Sequence, residues 1–175
     1  SGRLVVLAER LRKQYPTNRS QLAYSSMPVY SDTFGATWRA GATLPVVDNR
    51  THGIGEPSVA SIGNKTLIMV GRSLGNPNAP HAVLSTALSH DDGLHWERAV
   101  PIDAIQNGGC QSSIIGAPDG SLALISSPVY PYGEARYNVS IFVAAAPSFK
   151  VWRLAGLVHA GPGAYSSLAV ADADA

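Results

Sequence analysis

Short apolar runs, each closed by glycine, proline, asparagine or aspartate, follow one another along this chain. "EPSVASI" and "KTLIMVGR" flank Gly63-Asn64, and "QSSIIGAP" and "SLALISSP" flank Asp119-Gly120. Each pair reads as a β-hairpin, because glycine, asparagine and aspartate tolerate the positive φ that tight turns require. A third strand follows in "HAVLSTALS" or "RYNVSIFVA". A turn then leads to a tryptophan and a fourth strand, "ERAVPI" or "RLAGLV". The stretch "AERLRKQY" near the start does not fit this rhythm and is expected to form a helical turn within a loop.

The strand pattern repeats. Trp38, Trp96 and Trp152 are separated by 58 and 56 residues. A second series runs in phase: Glu56 opens "EPSVASIG", Gln111 opens "QSSIIGAP" and Tyr165 opens "YSSLAVA", at separations of 55 and 54 residues. Four antiparallel strands in roughly 55 residues is the size of a β-propeller blade. Residues 1–175 are expected to form one all-β domain of about three such blades.

The turn before the tryptophan has its own signature. "SHDDGLHW" spans residues 89–96 and reads S-x-D-x-G-x-x-W. An aspartate in a tight turn accepts backbone N–H bonds, glycine supplies positive φ, and the tryptophan seals the turn against the sheet. Asp91 is therefore expected to be structural. "SDTFGATW" keeps Ser31, Gly35 and Trp38 but has Thr33 in place of the aspartate, which stands one position early as Asp32. "AAAPSFKVW" keeps Trp152 alone.

Composition narrows the functional classes. The net charge is +1, with 13 Lys+Arg against 12 Asp+Glu, so bulk charge does not select a nucleic-acid or membrane-surface partner. No apolar run approaches the roughly 20 residues that span a bilayer as a helix. The histidines at 52, 81, 90, 95 and 159 lack metal-ligand spacing, and no phosphate-binding glycine loop or Ser-His-Asp signature occurs, so neither a metal nor a cofactor is expected. The one cysteine, Cys110, forms no internal disulfide and does not report a redox compartment. Sequons at Asn18, Asn49, Asn64 and Asn138 lean toward a secreted or lysosomal route.

With these residues in view, the chain resembles the sialidase (neuraminidase) family of six-bladed propellers. The Ser89–Trp96 turn is similar to their Asp box. "GRLVV" looks like the opening strand of a middle blade, and "VYSDTFGATWRAGATLP" like its third and fourth strands. "GEPSV", "GCQSSI", "ALISSP", "RYNVSIFV" and "GAYSSLA" follow in the family's order. The resemblance implies an exo-α-sialidase that releases terminal sialic acids from glycoproteins, glycolipids and oligosaccharides, with retention. A trans-sialidase and a non-catalytic sialic-acid-binding remnant are the alternatives.

The same resemblance implies the site residues. Tyr165 would be the nucleophile and Glu56 its general base. Arg72 and Arg136 would clamp the substrate carboxylate, and Gln111 would lie near the acylamino side of the sugar. The chemistry is coherent: a carboxylate nucleophile is repelled by an anionic sugar, whereas a phenol starts neutral and loses its proton to a neighbouring glutamate during attack. A tyrosine nucleophile is a recognised sialidase exception among glycosidases. Equivalent positions on inner strands converge near a propeller axis, so Glu56 and Tyr165 are expected within about 2.6–3.2 Å, or further apart without ligand. Read without the resemblance, Tyr165 is a half-buried strand tyrosine, each arginine a surface residue and Gln111 a buried structural one.

Three of the family's groups have no counterpart here: an early arginine in an Arg-Ile-Pro motif, a general-acid aspartate, and a glutamate that follows the tyrosine. The chain is therefore expected to be incomplete at both ends, roughly half of a propeller and inactive alone. The remainder would come from further sequence or from another chain.

Overall fold

A computed structural model describes residues 2–13, 22–45, 51–75, 83–107, 109–129 and 136–171. Among them are eleven strands in three antiparallel sheets and no helix. The first sheet joins β1 (Leu4–Lys13), β2 (Leu22–Ser31) and β3 (Arg39–Ala40) in that order. The second runs β4 (Thr51–Ser61), β5 (Leu67–Gly75), β6 (Val83–Ser89) and β7 (Val100–Gln106). The third runs β8 (Ser113–Gly116), β9 (Leu122–Pro128), β10 (Tyr137–Ala145) and β11 (Arg153–Pro162). Each is an up-and-down meander whose strands pair with their sequence neighbours, the order expected of propeller blades.

The register corrects two expectations. The stretch 8–15 is not a helical turn: residues 8–13 lie in β1, where Ala8 pairs with Met27 and Lys13 with Leu22. Residues 14 and 15 lie outside the described residues. Local propensity loses here to a ladder ten residues long. Nor does "GRLVV" open a blade. Leu4 pairs with Ser31 as Leu67 pairs with Ser89 and Leu122 with Ala145, so β1 is equivalent to the second strands β5 and β9.

Two apolar clusters fill the spaces between sheets. Ile54, Met69 and Ala87 of the second sheet pack with Leu7 of the first. On its other face Ile68, Val70 and Leu84 pack with Ile114, Ile125 and Phe142 of the third. Alternate residues of β5 thus face opposite clusters, which is why "LIMV" reads as a continuous apolar run. The first strands β4 and β8 meet closely at one glycine. A Cβ on Gly116 of β8 would collide with the carbonyl oxygen of Ser61 at the end of β4. The Ser58 hydroxyl accepts the Ile114 N–H at 3.3 Å, and the Ser113 hydroxyl accepts the Leu168 N–H at 3.0 Å. Residues 163–171 form no ladder among the described residues and are held by contacts of this kind.

The three tryptophan turns show how the signature decays. In the second sheet, Ser89 Oγ accepts from Gly93 N–H, Asp91 Oδ1 accepts from His95 N–H, and Trp96 Nε1 donates to the Gly93 carbonyl. In the first, Ser31 Oγ accepts from Gly35 N–H, Thr33 Oγ1 stands in for the aspartate by accepting from Thr37 N–H, and Trp38 donates to Gly35. The displaced Asp32 instead forms a bidentate ion pair with Arg3. In the third, Phe149 occupies the glycine position at φ 49° and its N–H donates to the Ala145 carbonyl. Trp152 is buried, with no partner for its indole N–H among the described residues.

Burial pushes the Asp91 carboxyl up, but the His95 backbone and imidazole and the Ser89 hydroxyl outweigh it and bring the pKa to about 2. Its folded value is depressed, so its stabilisation is present above the ordinary carboxylate pKa and is lost as pH falls from about 4 through about 2. Asp91→Asn is expected to lower stability at pH 7 by about 1 kcal/mol and to flatten the acid limb of the stability curve in that window. Denaturant midpoints measured from pH 7 to pH 2 check this.

Of the sequons, Asn64 is exposed in the turn between β4 and β5, while Asn138 Oδ1 accepts the Gly161 N–H at 3.0 Å. Asn18 and Asn49 lie outside the described residues.

Candidate active site

The site begins with a break in the β4–β5 ladder. Gly55 pairs with Arg72 and Ser58 with Val70, so Glu56 and Pro57 bulge opposite Gly71. Pro57 has no N–H to give to a ladder, which places the bulge there. Gly71 leaves it room: a Cβ would collide with the Ile54 side chain. Glu56 sits in the bulge at φ 47°, a left-handed conformation that costs a non-glycine residue roughly 1–3 kcal/mol. The bulge turns its carboxylate off the strand, next to Arg72 on the paired strand.

Arg72 Nη2 lies 2.9 Å from Glu56 Oε1, with about a quarter of each side chain exposed. Its Nη1 donates to the Gly109 carbonyl at 2.5 Å. The Gly109 carbonyl also accepts from Arg136 Nη2 at 3.2 Å. Two guanidinium groups from different sheets thus meet on one backbone oxygen. Each keeps further N–H donors for a ligand. Glu56 Oε2 and Arg72 Nε are buried and have no hydrogen-bond partner among the described residues. Such atoms are costly when left unpaired.

Tyr165 completes the group. Gly163 N–H donates to the Arg136 carbonyl at 3.0 Å, Tyr165 N–H to Cys110 Sγ at 3.3 Å, and the Ser126 and Ser166 hydroxyls lie 2.8 Å apart. Gly163 is needed in this path, because a Cβ would press on Val139. Tyr165 also has left-handed backbone, at φ 28°. Its phenol is half exposed and its Oη donates to Glu56 Oε1 at 3.4 Å, a long bond. The Arg136 guanidinium lies 5.2 Å from its ring centroid, within cation–π range.

Glu56, Arg72, Arg136 and Tyr165 therefore meet in one cluster, though 109 residues separate the outermost two. Gln111 makes no hydrogen bond to this group among the described residues: its Nε2 donates to the Ser112 carbonyl at 3.0 Å. Two groups beside the site escaped the sequence reading. Glu9 Oε2 accepts the Glu56 N–H at 3.0 Å. Gly109 supplies the carbonyl that holds both arginines. Glu9 occupies on β1 the register position of Arg72 on β5, so the repeat phase held a signal for it. A backbone carbonyl carries none. No cluster of His, Cys, Asp or Glu among the described residues could hold a metal.

Residues 2–174 match a family model described as a BNR repeat-like domain. No curated protein sequence matches. Solved structures do. The Trypanosoma rangeli sialidase is 18% identical with a TM-score of 0.63, over 95% of this chain and 25% of its own. The intramolecular trans-sialidase from Ruminococcus gnavus, solved with oseltamivir carboxylate, is 20% identical with a TM-score of 0.60, over 95% of this chain and 33% of its own. The K499G mutant of NanB sialidase from Streptococcus pneumoniae is 21% identical with a TM-score of 0.55, over 75% of this chain and 20% of its own. The chain thus spans a fifth to a third of the length of these structures, and its fold is that of their β-propellers.

Proposed function

The chain belongs to the BNR repeat-like domain family, and from that premise we propose that it forms part of the catalytic propeller of an exo-α-sialidase that cleaves terminal sialic acids with retention. The observation that carries this reading is the convergence of Tyr165 Oη and Arg72 Nη2 on Glu56 Oε1. A lectin has a use for the arginines but not for a phenol poised on a carboxylate. The Ser89–Trp96 turn is an Asp box on this reading, a brace for the blade away from the chemistry.

Tyr165 Oη attacks the anomeric carbon while Glu56 takes the phenolic proton. The bond to the leaving glycosyl oxygen breaks, and that oxygen is protonated by an acid outside this residue set. Water then attacks the glycosyl–tyrosine intermediate from the face the leaving group has vacated, opposite the tyrosine, and gives its proton to the conjugate base of that same acid. Glu56 returns its proton to the departing phenol, and the two inversions retain the configuration. The cation of Arg136 beside the ring stabilises negative charge as it develops on the phenol oxygen. Arg72 and Arg136 fork onto the carboxylate at the anomeric carbon. The 3.4 Å Tyr165–Glu56 distance shortens when substrate orders the pair, as such bonds do between free and bound states. Transfer of the sugar to another hydroxyl in place of water is a second reading, supported by the likeness to an intramolecular trans-sialidase.

Arg72→Lys keeps the charge but loses the fork. In the complete propeller it is expected to cost about 2–4 kcal/mol of carboxylate binding, the range for truncating one partner of a buried charge pair. Release of a chromogenic aglycone from an α-sialoside checks this, with KM raised about 30-fold or more. An unchanged KM, or cleavage of a neutral hexoside in preference to the sialoside, would sink the reading.

A further inference from the structure

Asn107 is a buried polar side chain that the proposed chemistry does not touch. It stands just past β7, 2% exposed, and its hydrogen bonds are met by the third sheet and by the loop between the sheets. Its Nδ2 donates to Ser127 Oγ on β9 at 2.9 Å and to Ser112 Oγ at 3.3 Å, and those two hydroxyls are 3.0 Å apart. Its Oδ1 accepts the Cys110 N–H at 2.6 Å.

That last bond matters because of where the other side of the peptide points. The Cys110 N–H and the Gly109 carbonyl belong to one planar trans peptide, so fixing the N–H direction sends the carbonyl the opposite way. The Gly109 carbonyl receives Arg72 Nη1 and Arg136 Nη2. Gly109 reaches this geometry at φ 67°, a region other residues enter rarely. Two like charges brought together repel, and the negative end of a carbonyl dipole between them offsets that repulsion. Arg72 comes from β5 of the second sheet and Arg136 from the position just before β10 of the third. Asn107 spans the same two sheets. One amide thus sets the peptide that sets both cations.

We propose that Asn107 is a positioning residue for the carboxylate clamp: it locks the Gly109–Cys110 peptide so that one carbonyl holds Arg72 and Arg136 side by side, aimed at the carboxylate of an anionic sugar. This rests on the sialidase reading for the identity of the ligand, but not for the geometry of the peptide.

The experiment compares the affinity of the complete propeller for a 2,3-unsaturated sialic acid with that for its methyl ester, in wild type, Asn107→Ala and Ser127→Ala. A generally loosened fold weakens both ligands alike. Misaimed arginines weaken only the acid. The ratio of affinities is expected to fall about tenfold or more in Asn107→Ala and to stay within threefold in Ser127→Ala, which leaves the Cys110 bond in place. An unchanged ratio in Asn107→Ala, or an equal fall in Ser127→Ala, overturns the proposal. If Asn107→Ala does not fold, Asn107→Asp keeps the acceptor for Cys110 and must keep the ratio within threefold; a tenfold fall there overturns it as well. A ligand-free readout separates this inference from the sialidase reading. The carbonyl ¹³C resonance of Gly109, set by two guanidinium bonds, must shift in Asn107→Ala and not in Ser127→Ala. If it stays in place the inference fails, even if sialic acid is still bound through its carboxylate.

Discussion

Tyr165→Phe in the complete propeller is expected to lower kcat on an α-sialoside by about 10³-fold or more. Glu56→Ala should cost nearly as much, and the double variant no more than the worse single one. The reason is that nucleophile and base act as one unit: the phenol is a weak nucleophile until its proton leaves, and Glu56 has no other proton to take. Additive losses, with the double variant falling by the product of the two, would mean that the residues act in separate steps. The fold should barely notice Tyr165→Phe, because the hydroxyl is on a half-exposed side chain and its hydrogen bond to Glu56 is long. Stability within about 0.5 kcal/mol of wild type, beside a large kinetic loss, would separate chemistry from folding.

The largest stability loss is expected in the space between the second and third sheets. Ile125 is fully buried on β9, paired with Ile114 on one side and Phe142 on the other. Ile125→Ala removes three carbons where neighbours from two sheets cannot close in, and should cost about 2–5 kcal/mol. Leu157 on β11 is 57% exposed, and Leu157→Ala should stay within about 0.5 kcal/mol. Denaturant midpoints for the two variants check the contrast. Equal losses would mean that the apolar cluster is not where the stability resides.

What the sequence made legible was whatever depends on period and turn chemistry. The phase of Trp38, Trp96 and Trp152, and of Glu56, Gln111 and Tyr165, follows from the repeat because equivalent residues must land at equivalent places in stacked sheets. The hairpin turns at Gly63-Asn64 and Asp119-Gly120 stand where the positive-φ rule puts them, with Gly63, Asn64 and Gly120 all at positive φ. What stayed hidden depends on backbone groups and on pairing across the chain. "AERLRK" lies in a strand because β2 is there to pair with it, not because of local preference. Phe149 takes the φ of a glycine because Trp152 and Phe149 itself are buried in the core and hold the turn. The Glu56 bulge could be suspected from Pro57 alone, but its direction could not. The carbonyl of Gly109 has no side chain to advertise it, and only the fold brings two arginines to it.

The most direct test of the account is covalent. A sialic acid fluorinated beside its anomeric centre slows breakdown of the glycosyl intermediate, so the sugar stays on whichever residue attacks. Incubated with the complete propeller, digested and read by tandem mass spectrometry, the adduct should fall on Tyr165, and Tyr165→Phe should abolish it. An adduct on Glu56, or on no residue of this chain while the sialoside is still cleaved, would contradict the account.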